Sequence, residues 1–481
     1  MTKASKAQDS VLVWLGLIYA TCIIVIHLYV LAGPSFQAQL RMRPQNGLHA
    51  LAEVAALLHG ETTLTLVLIA SYGGLFVAYL WGFLRLRHHS VSRRALFLWA
   101  ALFAGLFVPL LPHFSDDIIA YARQGRVLAV YHSNPYLHTI AEFEDPGSIY
   151  PRAGSYWVTP YGPLATLLSA MVAKLGGGSL ALTVGLWKLL MAGCYLLCGW
   201  MVGKVLDRID PSTSERGLFF FLWNPLILLE LVGQGHNDGI MIALMMVGLY
   251  LVVSQKQTSG FLFLLLSALV KLVTAVILPL EAWLMLRRRA YRTLAQSSFF
   301  FVLIIFTCWL LFFRDLRSFK ELSAVSQQAW CSLTWLGGEA LHTWGGWSTD
   351  AARQAVQTLL LSLFALFFIW RMGKVSSERS LILESGWVFI FLLAVVANQI
   401  NCCYLTWVMP LVAVMSTPLS RSIAIFFTAW PLACYFRPIA FYTTFGANLA
   451  RTLLFYGILL ALLGWHLLRR DQSKIRERGL G

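Results

Sequence analysis

The sequence predicts an all-α protein that crosses a membrane many times. Of its 481 residues, 58% are hydrophobic and only 12% are charged, and the mean hydropathy is +0.69. Soluble domains carry about a quarter charged residues, so most of this chain must lie in lipid. Apolar runs that fit a spanning helix of about 20 residues recur throughout. We therefore expect one polytopic integral-membrane domain over residues 1–481, with about 13–14 transmembrane helices.

The apolar runs divide the chain into successive helices. The full-length candidates are 11–32, 62–84, 95–112, 181–203, 217–233, 238–254, 294–313, 352–370, 381–398, 421–437 and 447–468. Shorter or interrupted runs lie at 259–271, 272–285 and 403–416. This pattern indicates N-terminal helices over 1–94, a central half over 95–285 that carries the polar motifs, and C-terminal helices over 286–481.

The basic residues predict the orientation of the helices. The formal charge of +15 comes largely from short loops such as Arg287–Arg289. This is the positive-inside pattern of a membrane protein, and it argues against a nucleic-acid partner. With the N-terminus inside and the first apolar run retained as a helix, the long loop 113–180 lies outside. That orientation requires 161–176 to form a juxtamembrane helix on the outer face.

Polar residues from five separated parts of the sequence fall at the outer ends of these helices or in outer loops. They are Asp116, Asp117, His236, Asn237, Asp238, Lys271, Asn398, Gln399, Asn401 and Arg437. Side chains that are distant in sequence but share one face of a scaffold are typical of an active site.

Two adjacent carboxylates, Asp116 and Asp117, follow Ser115 in the long outer loop. They favour helix capping, with Ser115 as the N-cap and both acids in the first turn. Asp117, Tyr121 and Gln124 also recur at helical spacing and share one face. A carboxylate beside tyrosine and amide groups at a membrane surface suits a general base for a sugar hydroxyl. The two interpretations are compatible.

His236, Asn237 and Asp238 follow a glycine-rich turn between two apolar helices. The simpler interpretation is a tight turn with Asn237 as the N-cap, but an imidazole, a carboxylate and a helix N-terminus together also suit a phosphate. Lys271 lies alone in an apolar run, where its charge is costly unless it snorkels or pairs with an anion. A lipid phosphate, Asp238 and Glu281 are the candidate partners.

Aromatic residues near the outer loop have two interpretations. Tryptophans of membrane proteins usually form an interfacial belt, but sugar rings also stack on such side chains. Trp157 and Trp223 are candidates for sugar contacts. The polar segments 323–335 and 398–407 offer amide and hydroxyl groups for an acceptor.

The chain lacks several familiar signatures. No phosphate-binding loop or dinucleotide motif is present, so a nucleotide-sugar donor has no evident site. No His/Cys cluster indicates zinc, and we predict no cofactor, although a divalent cation on Asp116 and Asp117 stays open. The eight cysteines lie mostly in apolar runs, and Cys402 and Cys403 are adjacent, so no disulfide framework is expected.

Several short motifs follow one another in a fixed order. They are Ser115-x-Asp117, Tyr121, Gln124-Gly125, Asn134-Pro135-Tyr136, Trp157, Tyr161-Gly162-Pro163, Asn224-Pro225-Leu226, His236-Asn237-Asp238, Lys271 and Pro279. In this order the set resembles the prokaryotic polyprenyl-phosphate-mannose-dependent α-1,6-mannosyltransferases, which belong to the GT-C superfamily of membrane glycosyltransferases. The resemblance covers about residues 95–285 and is thinner after that, where only Tyr404, Trp407 and Pro410 match. Asp116 departs from the family pattern, which has a single acid at the place of Asp117.

The resemblance implies a GT-C-like enzyme on the non-cytoplasmic side of the plasma membrane. It would move a hexose, most simply mannose, from a polyprenyl-phosphate donor to a glycan or glycolipid acceptor by an inverting single displacement. Asp117 would be the catalytic base, with Asp116 as a second candidate. Lys271, His236 and Arg437 would bind the donor phosphate. The candidate substrate-binding residues are Tyr121, Gln124, Tyr136, Trp157, Tyr161, Asn237 and Asp238.

Two other classes of protein remain as alternatives. A transporter or lipid flippase also has many helices, but it places ionisable groups near the membrane midplane between inverted repeats. Here the acids lie at outer helix ends, and no repeat is visible. A purely structural membrane protein would leave the convergence of acid, imidazole and ammonium groups unexplained.

Overall fold

The computed structural model describes residues 3–32, 61–86, 91–110, 112, 115–143, 157–315, 317–318, 329–415, 417–434 and 445–478. Within these ranges the chain is helical and contains no strand, apart from an isolated bridge between Trp330 and Gln399. The all-α prediction is confirmed.

The helices follow one another with short connections. They are α1 (Lys3–Ala32), α2 (Glu61–Arg85), α3 (Arg93–Phe107), α4 (Asp117–Ala129), α5 (Pro163–Gly176), α6 (Leu180–Ile209), α7 (Ser214–Leu222), α8 (Asp238–Val253), α9 (Gln257–Ala268), α10 (Ile277–Arg287), α11 (Tyr291–Phe312), α12 (Leu333–Gly345), α13 (Thr349–Met372), α14 (Glu378–Phe391), α15 (Cys402–Met415), α16 (Pro418–Ala429) and α17 (Phe445–Arg478). Single turns lie at Ile140–Glu142, Pro211–Thr213, Pro225–Ile227, Leu228–Gly233, Leu272–Val276, Leu392–Val396 and Pro431–Cys434.

Seven of the described helices are long and apolar enough to cross a membrane, or eight if one bent pair forms a single span. They are Val11–Tyr29, Leu66–Arg85, Leu180–Ile209, Tyr291–Phe312, Thr349–Met372, Glu378–Val396 and Phe445–Arg469, and the bent pair is Pro211–Leu222 with Pro225–Gly233. The polytopic prediction is confirmed. The number of long helices is lower than the number of apolar runs because several runs form short or broken helices.

Two of the apolar runs form continuous helices that are shorter than a full span. The run 95–112 forms the 15-residue α3, and the run 238–254 forms the 16-residue α8. Helix α8 is buried along almost its whole length and packs against α6 and α9. A helix that is covered by its neighbours need not match the membrane thickness, so an apolar run of about 20 residues need not form a helix of full length.

Helix α5 lies within the segment 161–176, for which the predicted orientation of the helices requires a juxtamembrane helix. Its 14 residues extend about 21 Å at 1.5 Å per residue, which is short of the hydrocarbon thickness of about 30 Å. It packs closely against α4, whose 13 residues carry the adjacent carboxylates at their start. Both short helices also pack against the long helix α6.

The core is a continuous apolar cluster that includes residues from α1 to α17. Trp223, which we considered as a sugar contact, is fully buried in it. Its ring packs against Tyr19, Phe103 and Phe219. The sugar-contact hypothesis for Trp223 is therefore wrong, because the apolar packing that α3 and α7 need takes up the whole ring.

Local sequence explains where several helices begin. Serine and threonine hydroxyls accept hydrogen bonds from the free backbone N–H groups of the first turn. The residues that do so are Ser92, Ser179, Ser332, Ser348, Ser377 and Thr417. All eight cysteines are free thiols, as the absence of a disulfide pattern predicted.

Candidate active site

A single turn of π-helix, Leu228–Gly233, opens the site. Within this turn the Glu230 side chain is fully buried. The chain then reverses at Gly235, whose φ of +75° favours glycine. A Cβ at this position would also lie 2.5 Å from Ile118 Cδ1. This reversal brings His236 back over Glu230.

A second backbone contact joins the start of helix α5 to the segment before Lys271. The Gly162 N–H donates to the carbonyl of Val270 at 3.0 Å. A Cβ on Gly162 would lie 2.1 Å from the carbonyl oxygen of Leu269, so only glycine permits this approach. The contact sets Tyr161 beside Lys271, with the Lys271 Nζ 5.5 Å from the centre of the tyrosine ring.

Asp117 is the acid that the fold directs toward the other polar groups. It begins α4, and its Oδ2 accepts hydrogen bonds from the hydroxyls of Tyr121 at 3.3 Å and Tyr161 at 3.2 Å. The same oxygen lies 3.3 Å from His236 Nδ1. Protein groups surround the carboxylate on several sides, yet 41% of the side-chain surface stays exposed. A substrate can therefore approach it from the open side.

His236 lies between two carboxylates. Its Nδ1 faces Asp117, and its Nε2 lies 3.3 Å from Glu230 Oε2. The imidazole is 3% exposed, and the Glu230 side chain is 0% exposed. Because both ring nitrogens face carboxylates, neither N–H is directed at a donor phosphate, contrary to the predicted role of His236.

Lys271 pairs with Asp238, which settles its partner among the alternatives considered. The ammonium lies 2.7 Å from Asp238 Oδ2, and the other oxygen of Asp238 accepts a hydrogen bond from the Trp407 indole. The Lys271 Nζ also lies 5.4 Å from the ring centre of Tyr404 and 5.8 Å from that of Trp407. The lysine side chain retains 13% exposure.

The charges of the site stabilise one another. Burial alone would raise the pKa of Asp117, but His236 and Lys271 outweigh it and lower the pKa to about 2. Burial would lower the pKa of His236, but Asp117 and Glu230 raise it to about 10. Burial also opposes the charge of Lys271, whose pKa Asp238 nevertheless raises. At neutral pH the site therefore holds an ionised Asp117, an imidazolium and an ammonium.

Asp116 differs from its neighbour. It is the exposed N-cap residue of α4 and makes no side-chain capping bond, whereas Ser115 Oγ accepts from the Asp117 backbone N–H at 3.2 Å. The N-cap predicted at Ser115 thus shifts by one residue. Burial and the neighbouring Asp117 charge raise the pKa of Asp116. The structure separates the two acids and places Asp117 among the other charged groups.

The remaining candidates for substrate binding lie in different environments. Tyr136 is buried, and its hydroxyl donates to the Tyr161 carbonyl at 2.7 Å, so it supports Tyr161 and does not face an open site as predicted. Gln124 is also buried, on the face of α4 that carries Tyr121. The structure leaves the side chain of Trp157 67% exposed.

Two further candidates have distinct outcomes. Asn237 is the N-cap of α8 but makes no capping bond with its side chain, and its buried Oδ1 has no hydrogen-bond partner among the described residues. Asn237 thus occupies the predicted N-cap position, but the side-chain hydrogen bond that would cap the helix is not formed. Arg437, predicted to bind the donor phosphate, lies outside the described residues.

Among the described residues, Glu230, His236 and Cys403 bring one potential metal-ligand atom each within 4.8 Å of one another. The direct approach of His236 Nε2 to the Glu230 carboxylate is that of an ion pair, and we interpret it as such.

Sequence reasoning did not select Glu230, which is one acid inside an apolar run. It included Tyr404 and Trp407 only as part of the polar segment 398–407 and of a thin match to the family beyond residue 285. Both residues come from α15, far along the chain from α8. An isolated acid in an apolar segment is a functional signal in membrane proteins, and it could have identified Glu230. The contact between Trp407 and Asp238 depends on tertiary packing and has no local signal.

Comparisons with known proteins agree with these motifs. Residues 13–287, more than half of the chain, match the family described as alpha-(1->6)-mannopyranosyltransferase, N-terminal domain. The chain is 26% identical over 185 residues to alpha-(1->6)-mannopyranosyltransferase A of Corynebacterium glutamicum, covering 37% of each protein. It is 27% identical over 188 residues to alpha-(1->6)-mannopyranosyltransferase A of Mycobacterium tuberculosis, covering 38% of this chain and 36% of the relative.

A third curated relative is alpha-(1->6)-mannopyranosyltransferase B of Corynebacterium glutamicum, 28% identical over 166 residues, or 34% of this chain and 27% of the relative. The chain thus spans between 27% and 37% of the length of these curated relatives. The family match includes the site from Asp117 to Lys271. The chain belongs to the alpha-(1->6)-mannopyranosyltransferase family.

Proposed function

We propose that this protein transfers mannose from a polyprenyl-phosphate donor to a glycan or glycolipid acceptor at the outer face of the plasma membrane. The arrangement of Asp117 carries the proposal. Its carboxylate is ionised, open on one side, and held by His236 and two tyrosine hydroxyls on the other sides. The family names of the relatives supply mannose as the sugar.

The reaction is a single displacement at the anomeric carbon of the donor. The acceptor hydroxyl oxygen forms a bond to that carbon while the bond from the carbon to the phosphate oxygen breaks. The acceptor proton passes to Asp117, and the polyprenyl phosphate leaves with the bonding electron pair. Attack opposite the leaving group inverts the anomeric centre, and no covalent intermediate with the protein is formed.

Lys271 supports the departure of the phosphate. Its ammonium is fixed by Asp238 and by three aromatic rings, so little reorganisation is needed when negative charge develops on the leaving oxygen. Preorganised positive charge in a poorly hydrated site is an effective way to stabilise a transition state. A donor whose isoprenoid tail lies in the bilayer delivers its phosphate to the membrane boundary, where short outer helices such as α4 can present a base.

Reconstituted proteoliposomes test this function. They would contain polyprenyl-phosphate [¹⁴C]mannose and an α-1,6-linked mannose oligosaccharide on the side that corresponds to the outer face. We expect wild-type protein to extend the oligosaccharide, and Asp117→Asn to reduce the rate by at least about 100-fold, the range for loss of a general base. Asp116→Asn is the matched control and should retain most of the activity.

Three outcomes would contradict the proposal. Full activity of Asp117→Asn would remove this carboxylate from the base role. Extension only with acceptor on the opposite side would place the reaction at the inner face. Donor movement across the bilayer without any sugar transfer would favour the transporter or flippase alternative.

A further inference from the structure

Glu230 is a buried acid to which the transfer reaction as described gives no task. It lies in the π-helical turn Leu228–Gly233, and its side chain is 0% exposed. Neither carboxylate oxygen makes a hydrogen bond to another described residue. Single turns of π-helix occur often at functional sites, and a buried carboxylate without a compensating partner is costly. The charge of His236, 3.3 Å away, is the compensation that the structure provides.

The number of N–H donors on the His236 ring indicates which protonation state suits its position. A neutral imidazole has one N–H donor and one nitrogen lone pair, so it can satisfy only one adjacent carboxylate. Here Nδ1 faces Asp117 and Nε2 faces Glu230, each at 3.3 Å. Both contacts are attractive only when both nitrogens carry a proton. The two approaches thus favour the imidazolium form over either neutral tautomer.

The other titratable groups around His236 do not replace this requirement. The groups that face His236 are Asp117 of α4, Glu230 of the π-helical turn and Cys403 of α15. Tyr121 and Tyr161 contact Asp117, and Lys271 is paired with Asp238. Two carboxylates in direct approach outweigh the more distant ammonium. Removal of Glu230 would take away the carboxylate that faces Nε2.

We propose that Glu230 is a positioning residue that keeps His236 protonated and against Asp117, so that Asp117 alone receives the acceptor proton. This inference rests on the proposed transferase function. A doubly protonated imidazole has no lone pair, so it cannot take a proton from the acceptor or from Asp117. The proton on Asp117 therefore leaves through the exposed side of that carboxylate, and the buried side keeps its charge during the reaction.

The pH dependence of transfer distinguishes this role from a merely structural one. Glu230→Gln keeps the shape of the side chain but removes its charge. Loss of a neighbouring carboxylate lowers a histidine pKa by about 1–3 units, so we expect the alkaline limb of the rate profile to move down by that amount. Glu281→Gln is the matched control, since Glu281 is also a buried acid without a hydrogen-bond partner among the described residues. It should leave the profile unchanged.

A double-variant experiment tests whether Glu230 acts through His236. In a His236→Gln background, Glu230→Gln should cause no further loss of rate. Independent losses that multiply would overturn the proposal, as would an alkaline limb that does not move. Activity that a chelator abolishes and Zn²⁺ restores would indicate a metal at this position and would also overturn it.

A measurement without substrate separates this inference from the transferase function. The protein is labelled with ¹⁵N-histidine, and the signal of His236 is identified by its loss in His236→Gln. Solid-state NMR over a series of pH values should show the imidazolium form in wild type at pH 8, and the change to the neutral form should occur about 1–3 pH units lower in Glu230→Gln than in wild type. A neutral His236 in wild type overturns the inference even if transfer is active or Glu230→Gln does not fold. If wild-type protein showed no sugar transfer but His236 were in the imidazolium form, only the proposed transferase function would be overturned.

Discussion

Replacing Lys271 with methionine removes the ammonium that pairs with Asp238 but retains an unbranched side chain. The Asp238 side chain is 0% exposed, and removing one partner of a buried ion pair costs about 3–5 kcal/mol. The Trp407 N–H still donates to Asp238, and methionine sulfur packs well against aromatic rings. We therefore expect a loss at the lower end of this range, about 3 kcal/mol.

The double variant Lys271→Met/Asp238→Asn separates stability from catalysis. Its asparagine carbonyl can still accept from Trp407, and no unpaired charge is buried, so stability should return to within about 1 kcal/mol of wild type. Transfer should stay about 100- to 1000-fold slower, the usual cost of removing one preorganised donor. Thermal unfolding in detergent gives the stability, and the proteoliposome assay with varied donor and acceptor gives the rates.

Either measurement can refute this reasoning. A single Lys271→Met variant that unfolds like wild type would mean that the ion pair with Asp238 contributes nothing. Recovery of transfer together with stability in the double variant would make the lysine purely structural. A rate defect that depends on acceptor and not on donor concentration would assign Lys271 to the wrong substrate.

Three other predictions concern the neighbouring residues. Trp407→Phe leaves an oxygen of Asp238 without its donor and should lower the free energy of unfolding by about 1–3 kcal/mol beyond the loss of packing. Trp223→Phe is the control for the loss of packing in the same unfolding assay, because the Trp223 indole N–H has no hydrogen-bond partner among the described residues. Gly162→Ala should lower both unfolding temperature and transfer, because its Cβ would lie 2.1 Å from a backbone carbonyl oxygen; equal values for mutant and wild type would contradict the close approach. The folded-state pKa of Asp117 is about 2, below the unfolded value of 3.8, so its stabilising contribution is present above pH 4 and disappears as the pH falls toward 2. The stability difference between wild type and Asp117→Asn should therefore shrink between pH 5 and pH 2, and a constant difference would argue against a depressed pKa.

Several parts of the site were accessible from the sequence because their signals are local. Asp117, Tyr121 and Gln124 follow helical spacing, and α4 places Tyr121 against Asp117 as that spacing requires. A lone lysine in an apolar run is costly unless it snorkels or pairs with an anion, and Asp238 provides the anion. The orientation from the basic loops predicted a juxtamembrane helix over 161–176, and the structure has the 14-residue α5 there.

Other predictions failed because burial and partner choice are not local properties. The sequence does not show that Trp223 is enclosed by α3 and α7, or that Tyr136 is used to hold Tyr161. It also overstates the number of long helices, since an apolar run has the same composition whether lipid or other helices cover it.

The sequence by itself determined the chemical groups, the helical membrane fold and the family, because composition, helical period and motif order are properties of a chain read in one dimension. Only the tertiary structure decided how the charges are paired: His236 between Asp117 and Glu230, and Lys271 with Asp238 under Trp407. The physical reason is that electrostatic energy depends on distances of a few ångströms and on burial. Those quantities arise only when the π-turn, the Gly162 contact and α15 meet.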